Sequence, residues 1–326
     1  MASFAAKEKV VSRKKKCYNT DKTILQGKFL KVKQGKSVRQ VGNMQLRWVA
    51  TREGRLSSFL KGELKMSTGL MNKLKWGDAI RVNDHPEHTD YPVRLGDVIT
   101  VRLDEPAPAY PAEQGELTVL LEDDHILVVD KPAGMLIHPS HSQNTGTLAN
   151  LVAGYFARTG QNSAFHPVTR LDRDTFGLVL LAKNSHIHTL LQNTQLEKIY
   201  YARVFGGPVE DAGIIDAPIA RRPLPSLLRY IAPEGKPSRT AYTVLARNGE
   251  TALLALRPIT GRTHQLRLHC AHRGWPILGD PQYGSEESQA FSRLQGYDYQ
   301  RLCAKQLHFL HPITGEEIHV CSRLDP

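Results

Sequence analysis

The sequence lacks the features of several large classes of protein. No run approaches the roughly 18 consecutive apolar residues that a membrane span needs. The start, MASFAAKEKVVSRKKK, lacks the apolar centre of a signal peptide. Neither a Walker motif nor a G-x-G-x-x-G phosphate loop occurs. We therefore expect a cytoplasmic protein that makes no membrane contact and binds no nucleotide through such a loop.

Cysteine is scarce as well, and the four residues are Cys17, Cys270, Cys303 and Cys321. They are far apart in the sequence and form no C-x-x-C pair, so neither a disulfide framework nor a structural zinc site is indicated. We expect all four to be reduced thiols.

Positive charge is what the chain has in excess, and it is confined to the N-terminal side. The net charge is +11, yet residues 1–55 hold 15 lysines and arginines against 3 acidic residues, whereas residues 56–326 hold 28 against 29. Residues 1–40 are rich in lysine and show no apolar periodicity, which predicts a basic flexible tail. Such a tail either solubilises the protein or contacts nucleic-acid phosphates without sequence preference.

Two folded units are predicted beyond the tail. Residues 41–105 show apolar residues at helical spacing and then an alternating pattern around an Asn83–Asp84 turn, which indicates a small α+β domain of two helices followed by a hairpin. Residues 106–116 are rich in proline and are interpreted as an extended linker. Residues 117–326 then form the second and larger domain.

The larger domain contains more predicted strands than helices. The dipeptide Asn248-Gly249 between two apolar runs predicts a β-hairpin, because both residues tolerate a positive φ. Thr147 is a candidate helix cap, Ser185 a candidate helix start, and Gly274 a candidate helix end. We therefore expect an α+β fold with a mixed, largely antiparallel sheet flanked by helices.

The first polar cluster, RLDRD, precedes the apolar run FGLVLLAK. Arg170 and Arg173 flank Asp172, and positive charges nearby would keep its carboxylate ionised, so that it could act as a nucleophile or a base. A loop held by a rigid sheet is a common place for such a group. On this stretch alone, a structural ion pair at the surface is the favoured alternative.

Two further clusters follow. In KIYYARV the strand alternation directs one tyrosine into the core and the other, with Tyr200 the candidate, toward a cleft. In GRTHQLRLHCAHRG, a helix would place His264 and Arg267 one turn apart on the same face, where they could hold an anion. A metal site formed by His264, His269 and His272 is given little weight, since the step of five residues turns the first two ligands apart.

Four segments together resemble the RluA-type pseudouridine synthase family. They are DDHILVVDKPAGMLIHP, TRLDRDTFGLVLLAK, KIYYARVFGG and RPITGRTHQLRLHCAHRGWPILGDPQYG, in family order over about the last two thirds of the chain. The resemblance implies isomerisation of uridine in ribosomal or transfer RNA without a metal or cofactor. It also implies that Asp172 is the catalytic aspartate, that Tyr200 stacks on the target base and takes part in proton removal, and that Arg267 is the partner of the aspartate.

The resemblance also suggests which residues contact RNA. Arg262 would contact the substrate, and Arg170 could fill the space that an extruded base leaves in the RNA. The segment NKLKWGDAIRVN resembles the alpha-L RNA-binding domain. Its basic residues Lys73, Lys75 and Arg81 are therefore candidate RNA contacts.

The sequence departs from the family at two positions. Thr169 stands where histidine is usual, and Phe176 stands where serine is usual. We expect Phe176 to reshape the rim of the pocket and so to affect the choice of substrate.

Two other functions stay open at this point. The chain could be a non-catalytic RNA-binding protein that retains the synthase scaffold. It could also be a hydrolase with two carboxylates, for which Asp280 is the candidate partner of Asp172. In each case we expect a monomer.

Overall fold

A computed structural model describes residues 44–103, 110–140, 142–223, 226 and 228–326. The predicted basic tail, residues 1–40, and the first part of the predicted linker, residues 106–109, lie outside the described residues.

Strands and helices are numbered here along the chain. The strands are β1 (Met44–Val49), β2 (Gly54–Arg55), β3 (Ile80–Val82), β4 (His85–Pro86), β5 (Pro92–Val93), β6 (Val98–Leu103), β7 (Thr118–Glu122), β8 (Ile126–Lys131), β9 (His166–Pro167), β10 (Phe176–Ala182), β11 (Glu197–Phe205), β12 (Ala212–Asp216), β13 (Ile219–Arg221), β14 (Arg229–Ile231), β15 (Arg239–Asn248), β16 (Thr251–Pro258), β17 (Leu302–Leu310) and β18 (Glu317–Cys321). The helices are α1 (Leu56–Gly62), α2 (Thr68–Leu74), α3 (Leu148–Arg158), α4 (Ser185–Gln192), α5 (Gln265–His272) and α6 (Glu286–Leu294).

The N-terminal elements form a small unit with its own apolar core. Strands β1, β6, β3 and β4 make a four-stranded sheet in that order, and α1 and α2 precede the β3–β4 hairpin. Asn83 and Asp84 form the turn of this hairpin with φ of +48° and +67°. Both residue types tolerate this backbone region. The predicted order of two helices and then a hairpin is therefore found, whereas its identity as an RNA-binding domain stays a prediction.

The small unit packs against the rest of the chain. His186, at the start of α4, lies with Nε2 3.0 Å from the carbonyl oxygen of Leu64, and Ile313 packs against the apolar core of the N-terminal unit. Burial lowers the pKa of His186, so the ring is neutral and its Nε2–H donates this bond.

The larger part of the chain is built on a ten-stranded sheet. Its main order is β12-β15-β16-β11-β17-β10-β8-β7, with β18 beside β17 and β9 beside β10. The described strands pair antiparallel throughout this sheet except at β10–β17, which is parallel. There Gly177 faces Ala304 with φ of +102°, and a side chain at Gly177 would meet the Ala304 backbone. The predicted α+β class with a mixed, largely antiparallel sheet is confirmed.

Helices cover this sheet and begin close to where the sequence predicts. Thr147 caps α3 and forms a capping box with Asn150, as expected. Helix α4 starts at Ser185, but its cap is Asn184, whose side chain accepts from the Ile187 N–H. Local hydrogen bonding therefore decides these boundaries.

The β15–β16 hairpin is present, with its turn shifted by one residue from the prediction. Asn248 pairs with Thr251 in the ladder, so Gly249 and Glu250 form the two-residue loop. Only Gly249 of this pair has a positive φ, at +57°.

The second part of the predicted linker lies against α3. The Glu113 N–H donates to the Asn150 carbonyl at 3.1 Å, and the Asn150 side chain donates to the Pro111 carbonyl at 3.1 Å. Residues 110–116 carry neither helix nor strand, in keeping with an extended segment.

The expectation for the cysteines holds only in part. Cys270 and Cys303 are free and buried, and burial raises the pKa of each thiol to about 12. Cys321 is disulfide-bonded, so the expectation of a reduced thiol is wrong there.

In the described ranges, no helix has the length and apolar character to cross a membrane.

Candidate active site

A cleft of about 670 Å³ lies beside the large sheet, where two loops and one strand come together. It is lined by Leu136–His138, Val168–Arg173, Thr175, Lys198, Tyr200, Pro258, Thr260–Arg267 and Leu302. The loop before β10, strand β11 and the turn from β16 into α5 therefore contribute the polar groups. These are the three clusters that the sequence singles out, and the fold brings them to one place.

Asp172 lies in this cleft and is paired with Arg267. The Nη1 atom of Arg267 is 3.2 Å from Oδ2 of Asp172, although the two residues are 95 positions apart in the chain. The Arg267 side chain is 5% exposed and that of Asp172 is 32% exposed. A buried guanidinium therefore holds the Asp172 carboxylate, and part of this carboxylate remains accessible from the cleft.

Arg267 is itself fixed by a second carboxylate. Its Nε and Nη2 atoms donate to Asp280 Oδ2 and Oδ1 at 2.7 and 2.8 Å, and Nη2 also donates to Gln282 at 2.8 Å. Asp280 is buried and is not among the residues that line the cleft. It therefore orients Arg267, and the hydrolase hypothesis that paired it with Asp172 as a second reactive carboxylate is wrong.

His264 does not share a helix face with Arg267, which corrects the prediction. Helix α5 begins at Gln265, and His264 precedes it in the left-handed region with φ of +56°. The Tyr283 hydroxyl accepts from the Arg229 N–H at 3.1 Å, which leaves its own hydrogen for Nδ1 of His264 at 2.9 Å. The other ring nitrogen, Nε2, is 3.9 Å from Asp172.

The charge state of His264 follows from its surroundings. Burial lowers the pKa of His264 and outweighs the nearby Asp172 charge, which raises it. The imidazole is therefore neutral at pH 7, and Arg267 is the permanent positive charge that contacts the Asp172 carboxylate.

Tyr200 projects into the same cleft from β11. It pairs with Leu256 of β16 and Ala304 of β17, next to a bulge between Ile199 and Tyr200. Burial, together with the charge of Asp172, raises the pKa of the Tyr200 hydroxyl, so the phenol stays protonated at neutral pH. The ring can stack on a base, but it is a poor proton acceptor.

The other cleft positions separate into exposed and structural groups. Arg170 and Arg262 line the cleft and are exposed, as an RNA contact requires. Thr169 is buried, and its hydroxyl accepts from the Leu180 N–H at 2.9 Å. Phe176 is buried and packs edge-on against Tyr299, so the expectation that it reshapes the rim is wrong.

His269 is committed to the fold. One ring nitrogen lies 2.9 Å from the Thr240 hydroxyl and the other 3.0 Å from the Ala217 carbonyl. His264 uses Nδ1 on Tyr283, and His272 is exposed on the surface. The three histidines therefore do not converge on one point.

Lys131 is a component of the site that sequence reasoning missed. Its ammonium group is buried and donates to the carbonyl oxygens of Pro132, Met135 and Arg173 at 2.8, 2.9 and 2.8 Å. Three carbonyls match the three N–H groups of a lysine. Since Arg173 follows Asp172 directly, Lys131 ties the loop that carries Asp172 to the end of β8.

We expect Lys131→Met to lower the free energy of unfolding by about 1–3 kcal/mol, because three buried carbonyls lose their donor.

The contribution of Lys131 to stability should also depend on pH. Burial lowers the pKa of Lys131 to about 7, although the negative charges of Asp174 and Asp172 act to raise it. Between that pH and the ordinary lysine value of about 10.4, the unfolded chain binds a proton that the folded chain has released, so Lys131 makes stability rise with pH.

Urea unfolding of both proteins at about pH 7 and about pH 9 tests this sign. The stability advantage of the wild type over Lys131→Met is expected to grow with pH. An advantage that shrinks as the pH rises would contradict it.

The candidate RNA contacts of the N-terminal unit differ in whether their charged groups already bind other parts of the protein. Lys73 is exposed, and Lys75 lies 5.0 Å above the ring of Trp76, which is 78% exposed. Arg81 instead donates to the Asp78 and Asp84 carbonyls at 3.2 and 2.7 Å, so its guanidinium holds the β3–β4 turn. Trp76 was not singled out from the sequence, although an exposed tryptophan beside lysines is a signal for base stacking.

Comparison with known proteins gives a consistent result. A sequence profile described as RNA pseudouridylate synthase matches residues 125–272. An uncharacterized RNA pseudouridine synthase, YjbO, from Bacillus subtilis is 33% identical over 79% of this chain and 91% of its own length. The ribosomal large subunit pseudouridine synthase C of Vibrio cholerae is 30% identical over 83% and 90%.

Solved structures agree with the sequence comparison. The structure of human RNA pseudouridylate synthase domain containing 1 is 26% identical, with a TM-score of 0.52, over 64% of this chain and 85% of that one. The fold and the sequence similarity place this chain in the class of RNA-modifying enzymes. It belongs to the RNA pseudouridine synthase family.

Proposed function

We propose that this chain converts specific uridines of ribosomal RNA to pseudouridine, with Asp172 as the catalytic carboxylate. The observation that carries the proposal is the Asp172 carboxylate, held at 3.2 Å by the buried Arg267 in a cleft that Tyr200 also lines. Ribosomal RNA is favoured because relatives such as the Vibrio cholerae protein carry the name of ribosomal large subunit synthases. Transfer RNA is the alternative substrate.

The reaction is an isomerisation in which atoms are conserved. The bond from N1 of uracil to C1′ of the ribose breaks, the base turns, and a bond from C5 to C1′ forms. C5 loses its proton and N1 gains one. Asp172 attacks or assists at the sugar, and the contact with Arg267 keeps its carboxylate aimed at the cleft.

Tyr200 serves this reaction by stacking on the base. Its hydroxyl stays protonated because burial and the Asp172 charge raise its pKa, so removal of the C5 proton falls to another group. Asp172 is the carboxylate among the residues that line the cleft, so we assign that step to it.

The cleft also suggests how the RNA is held. A base inside a duplex must leave its stack before it can react, at a cost of a few kcal/mol. Exposed Arg170, two positions before Asp172, is placed to occupy the vacated space, and exposed Arg262 is placed to contact phosphate. We further propose that the protein acts as a monomer in the cytoplasm.

Mapping pseudouridine in ribosomal and transfer RNA from cells with and without the gene tests the function. Loss of one or a few ribosomal sites, restored by the wild-type gene, is the expected result. Unchanged maps in both RNA classes would overturn the proposal. Restoration by a gene that carries Asp172→Asn would instead support the alternative of a non-catalytic RNA-binding protein.

We also propose that the N-terminal unit contacts RNA through Lys73, Lys75 and Trp76. The double variant Lys73→Ala/Lys75→Ala is expected to weaken RNA binding and to reduce the slope of log affinity against log salt concentration by about 1–2, since each phosphate contact contributes about 0.7–0.9. Titration of a ribosomal RNA fragment at several salt concentrations measures this slope.

The matched control is Lys61→Ala/Lys236→Ala, which removes the same charge from two exposed lysines elsewhere. The two double variants should differ in slope. Equal slopes would mean that Lys73 and Lys75 act only through the net charge.

A further inference from the structure

A second cluster of ligand-type side chains lies outside the cleft, on strands β11, β17 and β18. His308 of β17 pairs directly with Glu197 of β11 and with His319 of β18. Glu317 precedes His319 by two residues, so both side chains are on the same face of β18. Three adjacent strands therefore present two imidazoles and two carboxylates in one row.

The atoms of this cluster are close enough to share one ion. The Nε2 atom of His319 is 3.5 Å from Oε2 of Glu317, and the Nε2 atom of His308 is 3.9 Å from the same oxygen. One ligand atom each from His308, Glu317 and His319 lies within 4.8 Å of the others. Ligand atoms around a tetrahedral zinc ion lie roughly 3.3–3.5 Å apart, so small side-chain rotations bring the three into range.

One ring nitrogen of His308 is free to bind a ligand. Its Nδ1 atom is 3.3 Å from Glu197, while its Nε2 atom is shielded from solvent and makes no hydrogen bond with any of the described residues. A carboxylate that accepts from one ring nitrogen leaves the lone pair of the other nitrogen free, as in the carboxylate–histidine pairs behind many metal ligands. That lone pair belongs to the nitrogen facing Glu317.

Charge and stacking favour a cation at the same point. The rings of His308 and His319 are stacked at 3.9 Å with an angle of 6° between their planes. The carboxylates of Glu197 and Glu317 both lie beside this pair of rings. A divalent cation between the rings and Glu317 would balance both carboxylates.

We propose that His308, His319 and Glu317 bind a divalent transition-metal ion, with Zn²⁺ the best match, and that Glu197 orients His308. Two imidazoles and one carboxylate suit zinc and leave a fourth position for water. None of the four residues lines the cleft. The ion would therefore be a structural one that links β18 to the rest of the sheet, and it would take no part in the RNA chemistry. The proposal stands independently of the proposed function.

Titration of the full chain with Zn²⁺ tests it, and Co²⁺ serves as the spectroscopic probe. We expect one ion per chain, a higher midpoint of thermal unfolding with Zn²⁺, and a Co²⁺ spectrum with visible bands but no thiolate charge-transfer band. His319→Ala should weaken zinc binding at least tenfold, and Glu197→Gln should weaken it about tenfold or more.

His272→Ala is the matched control, because it removes an exposed histidine from a distant helix. It should bind zinc as the wild type does. Glu317→Gln provides a second ligand variant at an exposed position, in case His319→Ala disturbs the strand. The proposal is overturned if no saturable binding occurs, if the ligand variants bind as tightly as the control, or if the Co²⁺ spectrum shows thiolate ligation.

Discussion

Replacing Asp172 with asparagine is expected to lower the rate of pseudouridine formation by about 10³-fold or more. The amide has nearly the same shape as the carboxylate, but it is neither an effective nucleophile nor a base. The Asp172 side chain is about one third exposed and is not part of the apolar core, so the fold and RNA affinity should change little. Single-turnover assays on a ribosomal RNA fragment, beside thermal unfolding and RNA titration, separate these effects.

Asp174→Asn is the matched control for this experiment. Asp174 is the other aspartate of the same loop and lies 3.7 Å from Arg173, without contact to Arg267 among the described ion pairs. It should keep most of the activity. If Asp172→Asn retained the wild-type rate, or if both variants lost activity equally, the catalytic assignment of Asp172 would be wrong.

Arg267→Met should be the most destabilising single change in the cleft. The methionine leaves Asp280 as a buried carboxylate without its bidentate partner, which costs about 3–5 kcal/mol in buried ion pairs. Activity should also fall, because the carboxylate of Asp172 loses the contact that orients it. Urea unfolding at neutral pH gives the stability, and the single-turnover assay gives the rate.

Two further variants test whether the loss of stability comes from the unpaired charge of Asp280. Arg267→Met/Asp280→Asn removes both charges and should recover part of the stability, because no unpaired buried charge remains. Arg262→Ala removes an exposed arginine from the same cleft and should change stability by less than about 0.5 kcal/mol. A loss for Arg267→Met no larger than that of Arg262→Ala would mean that the buried pair contributes little.

The sequence predicted the parts of the fold that depend on local chemistry. The Asn83–Asp84 turn, the Thr147 cap and the β15–β16 hairpin each follow from a few neighbouring residues, and the structure contains all three. The α+β class was predictable for the same reason, since strands show an alternating pattern along the chain. Asp172, Tyr200 and Arg267 were singled out because motifs in family order surround them, and the fold brings them into one cleft.

What the sequence could not show depends on partners far along the chain. Lys131 looks like an ordinary surface lysine until the Arg173 carbonyl, 42 residues later, is placed beside it. Asp280 is a candidate second carboxylate for the hydrolase alternative from the sequence alone, because nothing in its neighbourhood shows that Arg267 covers both of its oxygens. The left-handed backbone of His264 at the start of α5 likewise has no signal in the helical spacing from which a shared face with Arg267 was predicted.

Strand β17 determines when during synthesis the enzyme can first act. It lies between β10 and β11 in the sheet, yet it comes from residues 302–310 of a chain of 326. Long-range pairing of this kind forms late. During synthesis Asp172 and Tyr200 therefore appear before the strand that joins β10 to β11, and the cleft can form only after residues 302–310 have left the ribosome.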